Sequence, residues 1–459
     1  MLGLIVSGMV LVSPFPLLPV ALLLALVARV ARRFRKTKTV AFFHPHAAGR
    51  GGGERVLWAA IDALIARSDI TKVVVYSIET NGKSILAEKN ATFDFKSRPE
   101  ESKIHFKKVY FSALLDSKLW PVAAIFGQSL GSVIVLLSVL FTSTEWPDIF
   151  IDTTGCPFTL PVAKLLTGAK TNAYIHYPTM SNDMFAKVQN KESDFNNREL
   201  FTSNAGLLRL KILYYKFFLV LYKFCGFFVD VAVGNSRWTV SRIQAVWGRQ
   251  DVGVLYPPAA IGDGSQISKI GKENRENAIL SLAQFRPEKN HKLQLAVFAR
   301  VLQKSPNTVF WLMGGGRNEG DFKLIDELKK FALSDLKIPE KNIEFLINAP
   351  WSEISNRLRR AKCAIHTMKD EHFGISLLEF LEAKLPVVCH RSGGPELDIL
   401  LPDEQFGYLA SSESEFATKV LNVLESFDQL TKRRIDAYNS LSRFYSDEKF
   451  GNEFSRILV

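Results

Sequence analysis

The sequence predicts an α/β protein made of two doubly wound, Rossmann-like domains. Three observations point there. Short apolar runs of strand length alternate with amphipathic stretches of helix length along residues 39–234, and again along residues 278–389. A segment dominated by Gly, Ser, Pro and charge, residues 257–277, separates the two series. Loops carrying glycines, cations or glutamates come after several strands, at the strand ends where doubly wound sheets bind ligands.

In chain order, residues 1–35 are expected to form a membrane anchor and its basic flank. Residues 2–28 carry no charge, a length that crosses the roughly 30 Å hydrocarbon layer. Residues 29–38 then hold six cations and no acid. A cleavable signal would place its cations first and end on a small-x-small site, and neither is found. The positive-inside rule puts Arg29 and the whole chain beyond it in the cytosol. Pro14, Pro16 and Pro19 leave a tilted or re-entrant anchor open. Residues 36–256 are expected to form an acceptor-side domain, with strands at 39–44 (TVAFFH), 72–78 (KVVVYSI), 148–152 (DIFID), 171–176 (TNAYIH) and 229–234 (VDVAVG). Each run is apolar and bounded by polar or small residues, as buried parallel strands are. After the linker at 257–277, a second domain at 278–435 is expected to hold strands at 278–283 (AILSLA), 309–313 (VFWLM), 343–347 (IEFLI), 363–366 (CAIH) and 386–389 (PVVC). Helices such as 292–303 and 322–332 lie between them, and a helical tail fills 436–459.

Composition narrows the function classes. The chain is 459 residues long, 47% hydrophobic and 23% charged, with net charge +12. The cationic surplus gathers beside the apolar anchor, so membrane lipids are the expected partner and nucleic acid is not. Cys156, Cys225, Cys363 and Cys389 show no CxxC spacing, which suits reduced cytosolic thiols and gives no zinc site. The sequon at Asn90 would go unused in the cytosol. Residues 119–144 are uncharged but diluted by serines, glycines and Gln128, whereas residues 206–228 mix aromatics with Arg209, Lys211, Lys216 and Lys223. Both read either as core helices or as membrane-interface helices, and docking is preferred to spanning because a span would split the strands on its two sides.

Five motifs could carry chemistry. In FFHPHAAGRGGGERVLWAAIDAL a strand ends at His44, and a loop with Gly49, Gly51, Gly52 and Gly53 leads into a helix. Glycines let backbone N–H groups approach a diphosphate, although such a loop can also be a plain tight turn. In SLAQFRPEKNH, Arg286 and Lys289 follow a strand and could offset the charge of a leaving diphosphate. The stretch DEHFGISLLEFLEAKLPVVCHRSGGPE holds Glu371 in a loop and Glu379 inside the helix after it. At 100° per residue the two need not share a face, so they are expected to grip different parts of one elongated ligand through its hydroxyls. The amides of Phe373, Gly374 and Ile375 between them suit a phosphate. Gly393 and Gly394 form a further backbone-donor loop after a strand. His176, in YIHYP, sits at another strand end.

Together these elements resemble the retaining glycosyltransferases of the GT-B fold, family-four type. Glu371 and Glu379 match that family's E-x7-E, Gly52 and Gly53 its glycine loop, and Gly393 and Gly394 its GG loop. HPHAAGRGGGERVLW, YIHYPTMSNDM, VGNSRWT, EHFGISLLEFLEA and HRSGGP are similar to the dolichol-pathway α-1,2-mannosyltransferases of the endoplasmic reticulum. The resemblance implies two Rossmann-like domains facing a cleft, and retaining transfer from GDP-mannose to dolichol-diphosphate-linked Man3GlcNAc2, adding the fourth and fifth mannoses on the cytosolic face. It implies that Glu379 accepts the ribose hydroxyls and Glu371 those of the transferred mannose. Arg286 and Lys289 would stabilise the diphosphate without a metal or other cofactor, and His176 would position sugar or acceptor from the other domain. Other dolichol-pathway mannosyltransferases are further expected partners. One departure stands: Gln284 occupies the family's arginine place, five before the lysine, and Arg286 is three before it. The competing readings are another membrane-bound family-four transferase acting on a lipid-linked acceptor, and an inactive nucleotide-sugar-binding scaffold. Turnover with GDP-mannose separates them.

Overall fold

The computed structural model describes residues 30, 37–49, 51–93, 99–143, 146–181, 184–185, 205–258, 275–400, 404 and 406–459. The expected anchor, apart from Val30, and most of the expected linker lie outside them.

Seven parallel strands form the first sheet: β1 (Lys38–Phe43), β2 (Ile70–Ser77), β3 (Ile104–Lys108), β4 (Ile149–Asp152), β5 (Lys170–Ile175), β6 (Val231–Gly234) and β7 (Val252–Val254), in the order 3-2-1-4-5-6-7. The chain starts in the middle at β1, whose Phe42 pairs with Val75 of β2 on one side and Ile151 of β4 on the other. The second sheet has β8 (Ala278–Leu282), β9 (Val309–Gly314), β10 (Ile343–Ile347), β11 (Cys363–His366), β12 (Val387–His390) and β13 (Tyr408–Ala410), in the order 10-9-8-11-12-13. In both sheets the order reverses beside the first strand, which opens a crevice at the carboxyl ends of the strands. The runs read from the sequence are the inner strands, largely buried, and one edge strand, the half-buried β10, whose IEFLI is still mostly apolar. The three unread strands, β3, β7 and β13, lie at sheet edges, where they are short or half-exposed and leave no continuous apolar run.

The helices are α1 (Gly52–Ile65), α2 (Gly82–Phe93), α3 (Ala124–Thr142), α4 (Thr159–Thr167), α5 (Ala205–Gly226) and α6 (Arg237–Trp247) on the first sheet. On the second sheet they are α7 (His291–Lys304), α8 (Glu319–Lys330), α9 (Trp351–Arg360), α10 (Ile375–Glu382), α11 (Glu413–Glu425) and α12 (Thr431–Tyr445). The last helix, α13 (Asp447–Leu458), returns to the N-terminal lobe. Its Phe450, Phe454 and Leu458 join the core of Val40, Phe42 and Trp58, and Asn172 Nδ2 donates to the Leu458 carbonyl at 2.5 Å. The expected single tail at 436–459 is therefore divided: α12 packs on the C-terminal lobe through Ala437, Leu441 and Tyr445, while α13 straps the two lobes together.

The two ambiguous apolar stretches prove two-faced. Val135, Leu136, Val139 and Leu140 of α3 and Tyr215, Phe218 and Tyr222 of α5 are core. Phe126, Leu130, Ile134 and Phe141 of α3, with Leu210, Leu213, Phe217, Val220 and Phe224 of α5, face outward. These outer faces adjoin, since Phe126 N–H donates to Tyr214 Oη at 3.1 Å and the Phe126 and Phe217 rings lie 6.3 Å apart.

Candidate active site

The site forms where the carboxyl ends of the two sheets meet. Strand β11 ends at His366, and α10 begins at Ile375. The loop between them turns through two left-handed residues, Asp370 (φ 56°) and Gly374 (φ 100°). It delivers the Glu371 side chain into a buried pocket. One carboxylate oxygen, Oε2, lies 2.5 Å from Lys289 Nζ and 2.9 Å from His366 Nε2, and the other accepts from the His372 amide at 3.2 Å. Burial works against this charge, but His366 and Lys289 outweigh it and hold the carboxyl well below the usual range. Glu371 is thus anionic at any physiological pH, and Lys289, which also donates to Met368 Sδ at 3.1 Å, keeps a third N–H for a second anion.

Glu379, two turns further on, is in the opposite state. Burial, with Glu382 adding to it and Arg55 opposing, pushes its pKa up to about 7. Among the described residues nothing hydrogen-bonds its carboxylate. Between the two glutamates lies the N-terminus of α10, with no side-chain cap and no acid in its first turn. An anion there meets unpaired amides and the positive end of the helix dipole. Phe373 contributes backbone only, because its ring is buried against Tyr256 and Tyr445 at 5.9 and 5.7 Å.

Gly393 and Gly394 back this loop. Gly393 has φ 70°, and a Cβ there would lie 2.3 Å from the Glu371 carbonyl; a Cβ on Gly394 would lie 2.6 Å from Phe373 Cα. The Gly394 amide donates to the Glu371 carbonyl at 2.7 Å, and Ser392 Oγ accepts from the Asp370 amide at 2.7 Å. The pair's observed task is to let two loops touch, and the Gly394 amide is not free for a ligand.

Across the crevice, β1 ends at the glycine loop and α1. This helix supplies its own anion. Glu54 accepts from the Gly51 amide at 2.8 Å and lies 3.7 Å from His44 Nε2. Despite burial, which opposes it, His44 and the local amides hold Glu54 down to about 2. A Cβ at Gly49 or Gly51 would meet the carboxylate end of Glu54, at 2.8 and 2.6 Å, so a side chain there would displace that carboxylate from the Gly51 amide. Gly52 is a contact between lobes: a Cβ there would be 2.6 Å from Ile375 Cδ1. A Cβ on Gly53 would sit 3.7 Å from His176 Nε2, a buried nitrogen with no hydrogen-bond partner among the described residues. Burial keeps His176 neutral, at about 4. The diphosphate expected at α1 therefore meets a carboxylate already there, whereas α10 offers an end without one.

The structure brings Glu371, Lys289, Phe373, Gly374, Ile375, Gly393, Gly394 and Gly52 into one crevice, with His176 and Gly53 on its N-terminal wall. Arg286 lies one short turn before Lys289, half-buried, with no side-chain hydrogen bond among the described residues. Sequence reasoning missed His366, Glu54, His44 and His372. His366 and His44 carried the signal used for His176, a histidine at a strand's carboxyl end; His372 and Glu54 show their roles only once the loops are folded. Among the described residues no group of three or more His, Cys, Asp or Glu is placed to hold a metal.

Comparison with known proteins adds the family. A family model described as ALG11 mannosyltransferase N-terminus matches residues 37–247, and one for glycosyl transferases group 1 matches residues 264–439. The chain is 38% identical to the GDP-Man:Man(3)GlcNAc(2)-PP-Dol alpha-1,2-mannosyltransferase of Xenopus laevis over 92% of this chain and 87% of that one. The Homo sapiens protein of the same name is 37% identical over 90% and 84%. Among solved structures, HepE of Anabaena in complex with UDP superposes with a TM-score of 0.62 at 15% identity, covering 92% of this chain and 99% of that one. That likeness gives the GT-B arrangement of the two sheets.

Proposed function

Because this chain belongs to the GDP-Man:Man(3)GlcNAc(2)-PP-Dol α-1,2-mannosyltransferase family, we propose a residue-level account of how its crevice performs that transfer. The protein is a glycosyltransferase, an α-1,2-mannosyltransferase with GDP-mannose as donor and dolichol-diphosphate-linked Man3GlcNAc2 as acceptor. The observation that carries the account is the uncapped N-terminus of α10 between two glutamates in opposite electrostatic states.

In this reading the diphosphate lies on the α10 amides, with Lys289 and Arg286 beside it. Negative charge grows on it as the bond to mannose C1 breaks, and preorganised cations lower that barrier. Glu379 accepts the ribose hydroxyls, which supply the partners it lacks. Glu371, held charged, accepts hydroxyls of the mannose, and His176 faces sugar or acceptor from the opposite wall. An acceptor 2-hydroxyl attacks C1 on the face the diphosphate leaves, and its proton passes to the departing phosphate oxygen, giving retention. Two successive transfers add the fourth and fifth mannoses. Two cations at the leaving group make a metal unnecessary, so turnover persists in excess EDTA; loss restored only by Mg²⁺ or Mn²⁺ contradicts this.

The adjoining apolar faces of α3 and α5, with the cations of α5, suit the cytosolic leaflet of the endoplasmic reticulum, where a lipid-linked acceptor would enter from the membrane plane. One assay tests the function. Purified protein, GDP-mannose and lipid-linked Man3GlcNAc2 should yield a product trimmed back by an α-1,2-specific mannosidase. An untrimmed product, or none, rejects it.

A further inference from the structure

His372 lies next to Glu371 and reaches the other way. Its ring stacks on Tyr177, from the loop after β5, with centroids 4.0 Å apart and planes 22° apart. On the same side it stacks on Trp238, in the first turn of α6, at 5.3 Å and 25°. Tyr177 and Trp238 are themselves stacked, 10° from parallel. The three rings form a clasp between the lobes. Everything that holds the Glu371 carboxylate belongs to the C-terminal lobe, and His372 is the residue of that loop whose ring stacks on Tyr177 and Trp238, while the neighbouring Phe373 stacks on Tyr256 behind it. Burial keeps the imidazole's pKa down to about 4, so it stacks as a neutral ring.

We infer that His372 is a positioning residue: clasped by Tyr177 and Trp238, it sets the loop so that Glu371 takes its working position only when the lobes are closed. The mechanism is geometric. The His372 amide donates to Glu371 Oε1, so the orientation of the ring's own peptide and that of the carboxylate are fixed together. Behind the loop, Gly393 and Gly394 leave no room for retreat. Removing the ring frees the loop on the side that faces Tyr177 and Trp238. Of the GDP-binding groups assigned above, Glu379, Lys289 and Arg286 lie outside this loop, and the amides at the start of α10 stay backed by the Gly393–Gly394 turn, whose Gly394 amide donates to the Glu371 carbonyl. This rests on the reading of Glu371 as the mannose-contacting carboxylate.

The test uses the full chain and compares His372→Ala, His372→Phe, Tyr177→Ala and the double variant His372→Ala/Tyr177→Ala. For each, kcat, KM for GDP-mannose, GDP affinity by calorimetry and the unfolding midpoint are measured. An aromatic stack of this kind corresponds to about a three- to tenfold effect, so His372→Ala should lower kcat by that factor and leave GDP affinity unchanged. His372→Phe should restore most of it, and the double variant should be no slower than the slower single one, since both break one clasp. The inference is overturned by normal kcat in His372→Ala, by failure of phenylalanine to rescue, by multiplying losses in the double variant, or by a loss that only tracks the unfolding midpoint. Glu371→Ala serves as the separate control. If it lowers kcat while His372→Ala does not, the clasp alone fails. If Glu371→Ala is itself fully active, the reading beneath the clasp fails too.

Discussion

Glu371 and Glu379 differ most in what the empty protein gives them. Glu371 has three donors, whereas Glu379 has burial and a neighbouring acid, so their variants should fail differently. Glu379→Ala should weaken GDP binding about ten- to a hundredfold, the loss of a charged acceptor to a hydroxyl, roughly 1.5–3 kcal/mol. Glu371→Ala should spare GDP affinity and lower kcat, as an interaction strongest in the transition state does. The reverse pattern would show the roles exchanged. The pKa of Glu379 adds a pH test. Raised from 4.5 to about 7, it makes the folded chain hold a proton that the unfolded chain has released, so stability falls as pH rises through that window. Glu379→Gln should therefore unfold at a higher temperature than the parent at pH 8 and at a similar one near pH 5. GDP-mannose binding should strengthen as pH rises through about 7 in the parent and stay flat in the glutamine variant. These two glutamates were legible in the sequence because their spacing is local. Their partners were not: Lys289 and His366 reach Glu371 from different strand ends, a proximity that only the order of strands in the sheet creates.

At the scale of elements, the glycines sort by what surrounds them rather than by motif. Gly52 and Gly53 are helical, and a methyl group there meets only the end of the Ile375 side chain or an imidazole at ordinary contact. Gly393 and Gly394 face backbone, and Gly393 is also left-handed. Gly53→Ala should leave the fold intact, whereas Gly394→Ala should cost at least about 2 kcal/mol and most of the activity, because the backbone it meets cannot move without displacing Glu371. Equal unfolding midpoints for the two would refute this. Helices α3 and α5 give the second test. Their periodicity could not separate core from membrane face because each helix serves as both. A chain beginning at Lys36 should still sediment with liposomes, more with anionic ones, and charges at Leu213 and Phe217 should abolish this. A chain that stays soluble and monodisperse with those faces intact would mean another protein surface covers them. The sequon at Asn90 is a poor reporter of sidedness, since it lies within α2 with its Oδ1 buried.

At the scale of the whole molecule, the lobes are joined by more than the crevice. Asp398, in the π-helical turn after β12 (Pro395–Ile399), accepts from the Arg237 amide at 3.1 Å, from Arg237 Nε at 3.0 Å and from Tyr256 Oη at 2.9 Å. Its carbonyl accepts from Tyr445 Oη at 2.8 Å, just before the chain crosses back as α13. A carboxylate of the C-terminal lobe thus caps the positive end of α6 in the N-terminal lobe, and the residue after Arg237 is Trp238, which stacks on His372. No sequence pattern announces this: Asp398 and Arg237 are single polar residues 161 positions apart, brought together by the facing of the two sheets. Asp398→Ala leaves the Arg237 amide without its acceptor and the guanidinium without its acid, while Ser236 Oγ still caps α6 through the Thr239 amide. This should cost about 1–3 kcal/mol, less than a wholly buried pair because the guanidinium is half-exposed. The kinetic consequence is more specific. The groups assigned to GDP lie on the C-terminal lobe, so GDP affinity should hold within about threefold. The acceptor has to be presented by the N-terminal lobe, so kcat over KM for the lipid-linked acceptor should fall by at least tenfold, and solution scattering should show a larger radius of gyration than for the parent. A variant that scatters like the parent and turns over normally would show that the strap of α13 closes the crevice unaided. One that loses GDP binding in proportion to acceptor turnover would place part of the nucleotide site on the N-terminal lobe.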